Sequence, residues 1–251
     1  MRVIKVGGRA RRDPRLAPLL AAEWTRAPGA LCIVHGGGDD VSALQRRLGV
    51  ETVFVGGRRR TSREDLELLR MVLSGAANKG LVASLLDAGA TAVGVSGEDA
   101  ALLLASRTDS LLGHVGSPTR ANVGLIRALA AAGYLPVVSP LARDVSTGGA
   151  LNVNADDAAA LLAAALGARE LLLLSDVPAV MRSGLPCDTL DAQEVRSLIS
   201  SKEATEGMAP KLEAALAALE RGVATVRIGD LDAIECSSSG TTILAGAPVT
   251  A

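Results

Sequence analysis

The stretch Met1-Arg-Val-Ile-Lys-Val-Gly-Gly8 is a short apolar run that contains one lysine and ends at two glycines. Val3, Ile4 and Val6 favour a buried β-strand, and the glycines allow a sharp turn in which the backbone can closely approach a bound group. Lys5 then lies near the carboxyl end of the strand, where open α/β sheets bind ligands. The stretch therefore predicts a buried strand with a ligand site at its end.

Lysine is rare in this chain. Of the 26 lysines and arginines only four are lysines, namely Lys5, Lys79, Lys202 and Lys211. We expect such a sequence to retain lysine where a compact ammonium on a flexible stem is needed, as at a phosphate. The alternative is that Lys5 merely extends its charged end into solvent, and this residue alone does not separate the two interpretations.

Length and composition restrict the class of protein. The 251 residues suffice for one large α/β domain or two smaller ones, and no apolar run approaches the roughly 20 residues of a membrane span. A net charge of -1 and three aromatic residues argue against a nucleic-acid partner. Three widely spaced cysteines without a CxxC motif, and a first strand with no signal segment before it, indicate a cytoplasmic protein without structural zinc.

Predicted strands and helices alternate along the chain. The predicted strands are 2–6, 31–34, 52–55, 91–95, 135–139, 170–175, 223–228 and 242–244. The predicted helices are 14–27, 39–48, 62–88, 118–132, 152–166, 191–200 and 207–221, with short hairpins over 101–117. This alternation indicates an α/β fold with a mainly parallel sheet covered on both faces. The best boundary lies near Gly167 and divides the chain into lobes 1–166 and 167–251.

His35-Gly-Gly-Gly38 joins a predicted strand to a predicted helix. Consecutive glycines there offer unhindered N–H groups beside a helix N-terminus, a combination that binds anions, although a tight turn without a ligand is the alternative. The motif is not the dinucleotide GxGxxG, because the helix begins too soon, and a P-loop is excluded because no Gly-Lys-Ser/Thr occurs. We interpret His35 as a structural histidine rather than a base.

Three further segments carry candidate binding groups. Arg58-Arg59-Arg60 could be a solvated loop, but Gly57-x-Arg59-x-Thr61 before a capped helix suits an arginine that grips a carboxylate through two hydrogen bonds. Asn152-Val-Asn-Ala-Asp156 places three small polar side chains at a helix start, more than one cap requires. Lys211 follows Gly207 by four residues near another helix start, where the alternative is a surface lysine.

Taken in order, these motifs resemble those of the amino acid kinase family. The resemblance covers nearly the whole chain and runs through Lys5-x-Gly7-Gly8, His35-Gly-Gly-Gly38, Gly57-x-Arg59-x-Thr61, Gly75-x-x-Asn78-Lys79, Leu112-Gly-His-Val-Gly116, Gly133-Tyr-Leu-Pro-Val-Val138, Asn152-Val-Asn-Ala-Asp156, Leu174-Ser-Asp-Val177, Gly207-Met-x-x-Lys211 and Gly240-Thr-x-Ile243. Any single motif is a weak signal, whereas ten in the same order are specific.

The resemblance implies a three-layer αβα sandwich of the carbamate kinase-like type. Its N-terminal lobe would bind the acyl amino acid and form a homodimer, and its C-terminal lobe would bind ATP. The implied reaction transfers the γ-phosphoryl group of MgATP to the side-chain carboxylate of N-acetyl-L-glutamate in arginine biosynthesis, with Mg²⁺ held mainly by the nucleotide phosphates. A chain that starts at its first strand lacks the N-terminal helix of arginine-inhibited hexameric members, so we expect an arginine-insensitive dimer.

The resemblance also implies a role for each motif. Lys5 and Lys211 would stabilise the charge of the moving phosphoryl group, and Asp156 would hold both lysines in place. Arg59 would bind the α-carboxylate of the substrate, and Asn152 would bind near its N-acyl amide, with Asn154 as a further substrate contact. Backbone N–H groups for the phosphoryl oxygens and the acceptor would come from Gly7, Gly8, Gly36, Gly37 and Gly38. The nucleotide would be surrounded by Ser175, Asp176, Val177, Met181, Thr205 and Gly207.

Two alternatives remain open from the sequence. One is a sibling kinase that acts on N-succinylglutamate, or on α-aminoadipate or glutamate attached to a small acidic carrier protein, which the arginines at 58–60 and 63 would suit. The other is a non-catalytic ligand-binding protein of the same fold, against which the intact Lys5, Asp156 and Lys211 argue. A carboxylate needs no base to attack phosphorus, so a kinase site here requires positive charge and alignment.

Overall fold

The computed structural model describes residues 1–55, 58–204 and 207–245. Its strands are β1 (Arg2–Val6), β2 (Leu31–His35), β3 (Phe54–Val55), β4 (Arg58–Arg59), β5 (Ala92–Ser96), β6 (Leu103–Arg107), β7 (Val115–Ala121), β8 (Leu135–Ser139), β9 (Leu141–Asp144), β10 (Ala150–Val153), β11 (Glu170–Leu174), β12 (Met181–Arg182), β13 (Leu185–Pro186), β14 (Thr189–Asp191), β15 (Thr225–Gly229) and β16 (Thr241–Leu244). Its α-helices are α1 (Leu16–Arg26), α2 (Gly38–Arg47), α3 (Arg63–Leu69), α4 (Asn78–Asp87), α5 (Gly124–Ala131), α6 (Ala155–Leu166), α7 (Ala192–Ser200), α8 (Ala209–Glu220) and α9 (Asp232–Glu235).

An eight-stranded sheet in the order β14-β16-β15-β11-β1-β2-β8-β5 forms the centre of the fold. Its neighbouring strands are parallel except for the antiparallel pair β15 and β16. β1 pairs with β2 on one side and with β11 on the other. The loops that follow these three strands therefore lie side by side at one edge of the sheet, where open α/β sheets bind ligands.

Helices cover both faces of this sheet. Val3 packs on one face with buried residues of α6 and α8, whereas Ile4 and Val6 pack on the other face with α1 and α4. Because side chains alternate along a strand, Lys5 shares the face of Val3 and points towards α6. The protein is thus a three-layer αβα sandwich with a mainly parallel sheet, which confirms the predicted fold class.

Four strands outside the central sheet pair in a closed ring, β10-β7-β6-β9, whose buried residues join the core on the α6 face. β6 and β7 form the hairpin expected near 101–117. The helix predicted over 118–132 is wrong in its first half, because Pro118 and the next three residues belong to β7 and α5 begins at Gly124. Pro118 pairs beside a break in the strand register, where a missing N–H group is tolerated.

The long predicted helix over 62–88 consists of three segments. Ser62 and Asp65 form a capping box at the start of α3, where the sequence predicts a capped helix. The next eight residues, Arg70–Ala77, form a π-helix that leads directly into α4, so the helical path is continuous through Gly75. Wider winding changes which side chains face inwards, and such segments are frequent at functional sites.

Two predicted boundaries are wrong. α1 begins at Leu16 rather than Pro14, and the Asp13 carboxylate accepts hydrogen bonds from the backbone N–H and the side chain of Arg15 in the turn before the helix. The strand predicted over 52–55 is reduced to β3. The Thr52 hydroxyl donates to Gln45 of α2, and among the described residues β3 pairs with β4 alone. The loop predicted after it therefore contains strand β4, and Gly57 lies outside the described residues.

Candidate active site

Three buried charges meet between the end of β1 and the first turns of α6 and α8. Lys5 Nζ lies 2.8 Å from Asp156 Oδ1, and Lys211 Nζ lies 3.3 Å from both carboxylate oxygens of Asp156. Their side chains are 7%, 9% and 12% exposed for Lys5, Asp156 and Lys211 respectively. The structure therefore brings together three residues that lie far apart in the sequence.

The sequence around Asp156 explains how its carboxylate is free to bind lysines. Asn154 caps α6 by accepting hydrogen bonds from the backbone N–H groups of Asp156 and Asp157. The Asp156 side chain is consequently not needed as a cap. Pro210 in the first turn of α8 places Lys211 at the start of that helix, where it faces α6 across alanine-rich surfaces that allow close approach.

The electrostatics of this charge cluster favour an incoming anion. Burial is the main cause that lowers the pKa of Lys211 to about 8, and the charge of Lys5 lowers it further while Asp156 opposes the shift. Burial alone would raise the pKa of Asp156, but the charges and hydrogen bonds of the two lysines outweigh it and lower that pKa. Two ammonium groups share one carboxylate, so one positive charge is uncompensated.

Glycine loops from β1 and β2 border the cluster. The Cβ of an alanine at Gly8 would lie 3.8 Å from the Gly37 Cα, so the two loops are in contact. A Cβ at Gly37 would lie only 2.8 Å from Leu73 Cδ2, so a larger residue there would displace the Leu73 side chain. Because glycines leave the N–H groups accessible at these strand ends, the loops are suited to contact an anionic group.

A cavity of about 380 Å³ opens beside the cluster and the glycine loops. Lys5 and Asp156 contribute charge to its wall, and Leu69 and Leu73 contribute apolar surface from α3 and the π-helix. Its remaining polar lining includes Gly8, Gly36, Gly37, Gly38, Asp39, Ser42, Arg58, Arg59, Asn152 and Asn154. The cavity therefore combines cationic groups, backbone N–H groups and an apolar wall, as a site for a small anionic organic molecule requires.

Arg59 is a buried cation in this cavity. Its Nη1 atom donates to Gln45 Oε1 at 2.5 Å, and its Nη2 atom donates to Ser42 Oγ at 2.7 Å and to the Gly38 carbonyl oxygen at 3.0 Å. All three acceptors are neutral, and no carboxylate in the described part of the chain forms an ion pair with it. Burial lowers the pKa of Arg59, which reflects the cost of a charge with little solvent. A buried cation without a counter-ion favours binding of an anion.

Asn152 lines the same cavity from β10, so the prediction that places it at the start of a helix over 152–166 is wrong: the strand runs to Val153 and α6 begins at Ala155. Its Nδ2 atom donates to Thr61 Oγ1 at 3.1 Å, and the Thr61 hydroxyl in turn donates to the Arg59 carbonyl oxygen at 3.1 Å. Asn154 also lines the cavity, but its side-chain oxygen is occupied by the cap of α6. Each asparagine therefore has one polar side-chain atom left for a ligand, Oδ1 of Asn152 and Nδ2 of Asn154.

Strand β11, which precedes the first residues expected around a nucleotide, lies next to β1 on the side opposite β2. Ser175, Asp176 and Val177 follow β11, and Arg9 from the β1 loop forms an exposed ion pair of 2.5 Å with Asp176. Met181 is exposed in the small β12–β13 hairpin, and Gly207 precedes α8. None of these described residues lines the enclosed cavity. Thr205 lies outside the described residues.

Sequence reasoning missed the residues that hold Arg59. Ser42 and Gln45 follow Gly38 by four and seven residues on α2, and this spacing places them on one helical face. The spacing of these polar residues is the signal in the sequence that indicates a polar face on α2. His35, in contrast, is structural as interpreted: it is buried, donates to the Gly36 carbonyl oxygen, and burial lowers its pKa to about 4.

Similarity to known proteins extends over nearly the whole chain. The model of the amino acid kinase family matches residues 1–230. Acetylglutamate kinase of Geobacillus kaustophilus (strain HTA426) is 42% identical over 228 residues, which cover 90% of this chain and 88% of that protein. Acetylglutamate kinase of Paracoccus denitrificans (strain Pd 1222) is 41% identical over 232 residues, which cover 91% and 76% respectively.

A solved structure shows the same architecture. The crystal structure of smu.665 from Streptococcus mutans UA159 superposes with a TM-score of 0.88 at 30% identity, and the match covers 97% of this chain and 98% of that one. The matched length, the shared fold and the order of the motifs lead to one conclusion. This chain belongs to the amino acid kinase family.

Proposed function

We propose that this enzyme transfers the γ-phosphoryl group of ATP to the side-chain carboxylate of N-acetyl-L-glutamate, yielding an acyl phosphate and ADP. The observation that carries the proposal is one cavity lined both by Lys5 of the charge cluster and by Arg59, a buried cation that only neutral groups hold. An acidic amino-acid derivative has two carboxylates, one for each of these two cations. The similarity to acetylglutamate kinases supports the acetyl derivative as the substrate.

The proposed reaction needs no proton transfer. An oxygen of the substrate carboxylate forms a bond to the γ-phosphorus while the bond from this phosphorus to the β–γ bridging oxygen breaks, and ADP leaves with the electron pair. Negative charge is spread over the transferring oxygens, so catalysis depends on cations and N–H groups held in place beforehand. Lys5 and Lys211 provide the cations in this scheme, and Asp156 keeps them apart and oriented.

The remaining residues divide between the two substrates in the proposal. Arg59 binds the α-carboxylate, Asn152 binds the N-acyl amide, and the glycine N–H groups contact the phosphoryl oxygens and the acceptor. The nucleotide occupies the surface near Asp176 and Gly207. Mg²⁺ enters as part of the substrate MgATP, bound mainly by phosphate oxygens. Among the described residues, no group of three or more histidine, cysteine, aspartate or glutamate side chains is arranged to hold a metal ion.

The proposal extends to the organisation of the enzyme. Residues 1–166 would form the lobe for the acyl amino acid and 167–251 the lobe for the nucleotide, in line with the strands before and after residue 167 occupying opposite halves of the central sheet. We further propose that the enzyme acts as a homodimer in the cytoplasm, in arginine biosynthesis. No helix in the described ranges has the length and apolar character needed to cross a bilayer.

The direct test is a hydroxamate assay on the purified protein, because hydroxylamine captures acyl phosphates. N-acetyl-L-glutamate, N-succinyl-L-glutamate and glutamate linked to an acidic carrier protein are compared with and without ATP. We expect ATP-dependent hydroxamate with the acetylated compound at the highest kcat/KM. If no acceptor yields hydroxamate, the proposed reaction is wrong. If the succinylated or carrier-linked acceptor has the highest kcat/KM, that compound is the substrate instead.

A further inference from the structure

Gln45 is a fully buried amide whose oxygen and nitrogen both form hydrogen bonds. Its Oε1 atom accepts from Arg59 Nη1 at 2.5 Å and from Thr52 Oγ1 at 2.8 Å, and its Nε2 atom donates to Asp65 Oδ1 at 2.6 Å. Its exposed fraction is 1%. The opposite orientation of the amide would set N–H groups against the guanidinium donor of Arg59 and an oxygen against the Asp65 carboxylate. Its neighbours therefore permit one orientation.

This arrangement places a neutral group between a cation and an anion. Asp65 is the carboxylate beyond Gln45, and it is fixed in the capping box of α3 through Ser62. Direct contact between Asp65 and Arg59 would form a buried ion pair and compensate the arginine charge internally. The intervening amide instead transmits the orienting effect of Asp65 while leaving Arg59 without a carboxylate partner.

We propose that Gln45 is a positioning residue that directs Arg59 towards the cavity and preserves its charge for a carboxylate of the substrate, with Asp65 fixing the amide. This inference rests on the proposed function, in which Arg59 binds the acyl amino acid. A side chain that served only to join α2 to α3 would need no neutral acceptor next to the arginine. The chemical identity of residue 45 therefore affects substrate binding, whereas a structural role would depend only on its hydrogen bonds.

The sharpest test transfers the negative charge from residue 65 to residue 45. The double variant Gln45→Glu/Asp65→Asn keeps the net charge, and the new amide can donate to the new carboxylate, so the number of hydrogen bonds is preserved. The carboxylate now contacts Arg59 and competes with the substrate. We expect the KM for N-acetyl-L-glutamate to rise about tenfold to a hundredfold, the range for losing a hydrogen bond to a charged group. The KM for ATP and kcat should stay close to wild type.

A second variant removes the acceptor without adding charge. Gln45→Met keeps the length of the side chain but leaves Arg59 without its Nη1 partner, so the KM for N-acetyl-L-glutamate should rise here too. The matched control is Thr52→Val, which removes the other hydrogen bond to the same oxygen without touching Arg59. We expect its KM to equal that of the wild type, and thermal melting identifies variants that fold.

The outcomes separate this inference from the proposed function. A raised KM for N-acetyl-L-glutamate in either folded Gln45 variant, with Thr52→Val unchanged, supports the role of Gln45. An unchanged KM in every folded Gln45 variant of an active enzyme overturns it, even if the melting temperature falls. A wild-type enzyme that does not phosphorylate N-acetyl-L-glutamate contradicts the proposed function itself.

Discussion

The Nζ atom of Lys5 lies 2.8 Å from Oδ1 of Asp156 in the interior of the protein, and the same carboxylate contacts Lys211. One anion thus separates two ammonium groups that would repel each other at short range with little water between them. Removing either lysine leaves one buried ion pair between the other lysine and Asp156, whereas removing Asp156 leaves two buried cations. Asp156 is therefore the member of the cluster on which its geometry depends most.

Asp156→Asn should impair both catalysis and folding. Without the carboxylate the two lysines separate or one loses its proton, so we expect kcat to fall about a hundredfold or more, as on loss of a preorganised charge-stabilising group. Unpaired buried charge should lower the free energy of unfolding by about 3–5 kcal/mol. The hydroxamate assay and urea denaturation measure the two effects. Asp157→Asn is the control, since Asp157 contacts neither lysine and should retain turnover.

The charge of Lys211 predicts a pH dependence. Its pKa of about 8 lies below the ordinary 10.5, mainly because of burial. The side chain is a cation below about pH 8 and loses its proton as the pH rises through that value, so kcat/KM for MgATP should fall above about pH 8. Lys211→Arg should abolish this fall, because arginine stays protonated, even if its maximal rate is lower. A fall of the same shape in that variant assigns the titration to another group.

Arg59→Lys tests the proposed carboxylate contact. A lysine cannot reach Gln45, Ser42 and the substrate together, because it lacks the planar fork of arginine. We expect the KM for N-acetyl-L-glutamate to rise by about tenfold or more, while the KM for ATP changes little. Initial rates with each substrate varied in turn give both constants. If the substitution mainly raises the KM for ATP, Arg59 does not bind the acyl amino acid.

The central strands could be predicted from the sequence because their signals are local. The apolar run of β1, its two glycines, and the Ser62–Asp65 capping box depend on neighbouring residues, and all three occur in the structure. Their parallel alternation with helices also determines that the loops after β1 and β2 meet at one edge. No local pattern indicates that Lys5 and Lys211 lie close together. That expectation comes from the resemblance of the motifs to those of the amino acid kinase family.

The support around Arg59 could not be predicted in the same way. Gln45 interacts with Thr52, Arg59 and Asp65, which belong to separate elements, so its role depends on how these elements pack. The strand over Pro118 shows the same limit, since a residue that usually interrupts strands is accommodated by a register break in the ring of four strands. Tertiary context overrides local preference at both places.

Thr61 connects the two side chains assigned to the substrate. Its buried hydroxyl donates to the Arg59 carbonyl oxygen and accepts from Asn152. Thr61→Val keeps the shape but leaves Asn152 without this acceptor, so we expect the KM for N-acetyl-L-glutamate to rise about fivefold to tenfold, the effect of one neutral hydrogen bond. Thr61→Ser retains the hydroxyl, so its KM for N-acetyl-L-glutamate should equal that of the wild type. Equal constants in the two variants would show that the hydroxyl does not position Asn152.

Gly113 fixes the position of Thr61 from the other side. It has a φ of 74°, and an alanine Cβ there would overlap the Thr61 carbonyl oxygen. Gly133 has a similar φ of 83° but open space around its Cβ position, so the pair separates backbone strain from close approach.

We expect Gly133→Ala to lower the free energy of unfolding by about 1–2 kcal/mol through backbone strain alone and to leave the kinetic constants unchanged. Gly113→Ala should cost more, because Thr61 must move as well, and the movement should raise the KM for N-acetyl-L-glutamate by displacing Asn152. Urea denaturation and initial rates of both variants provide the comparison. If Gly113→Ala loses stability but binds the substrate as the wild type does, the position of Thr61 does not control the site, because a shift of its backbone would then leave Asn152 and Arg59 in place.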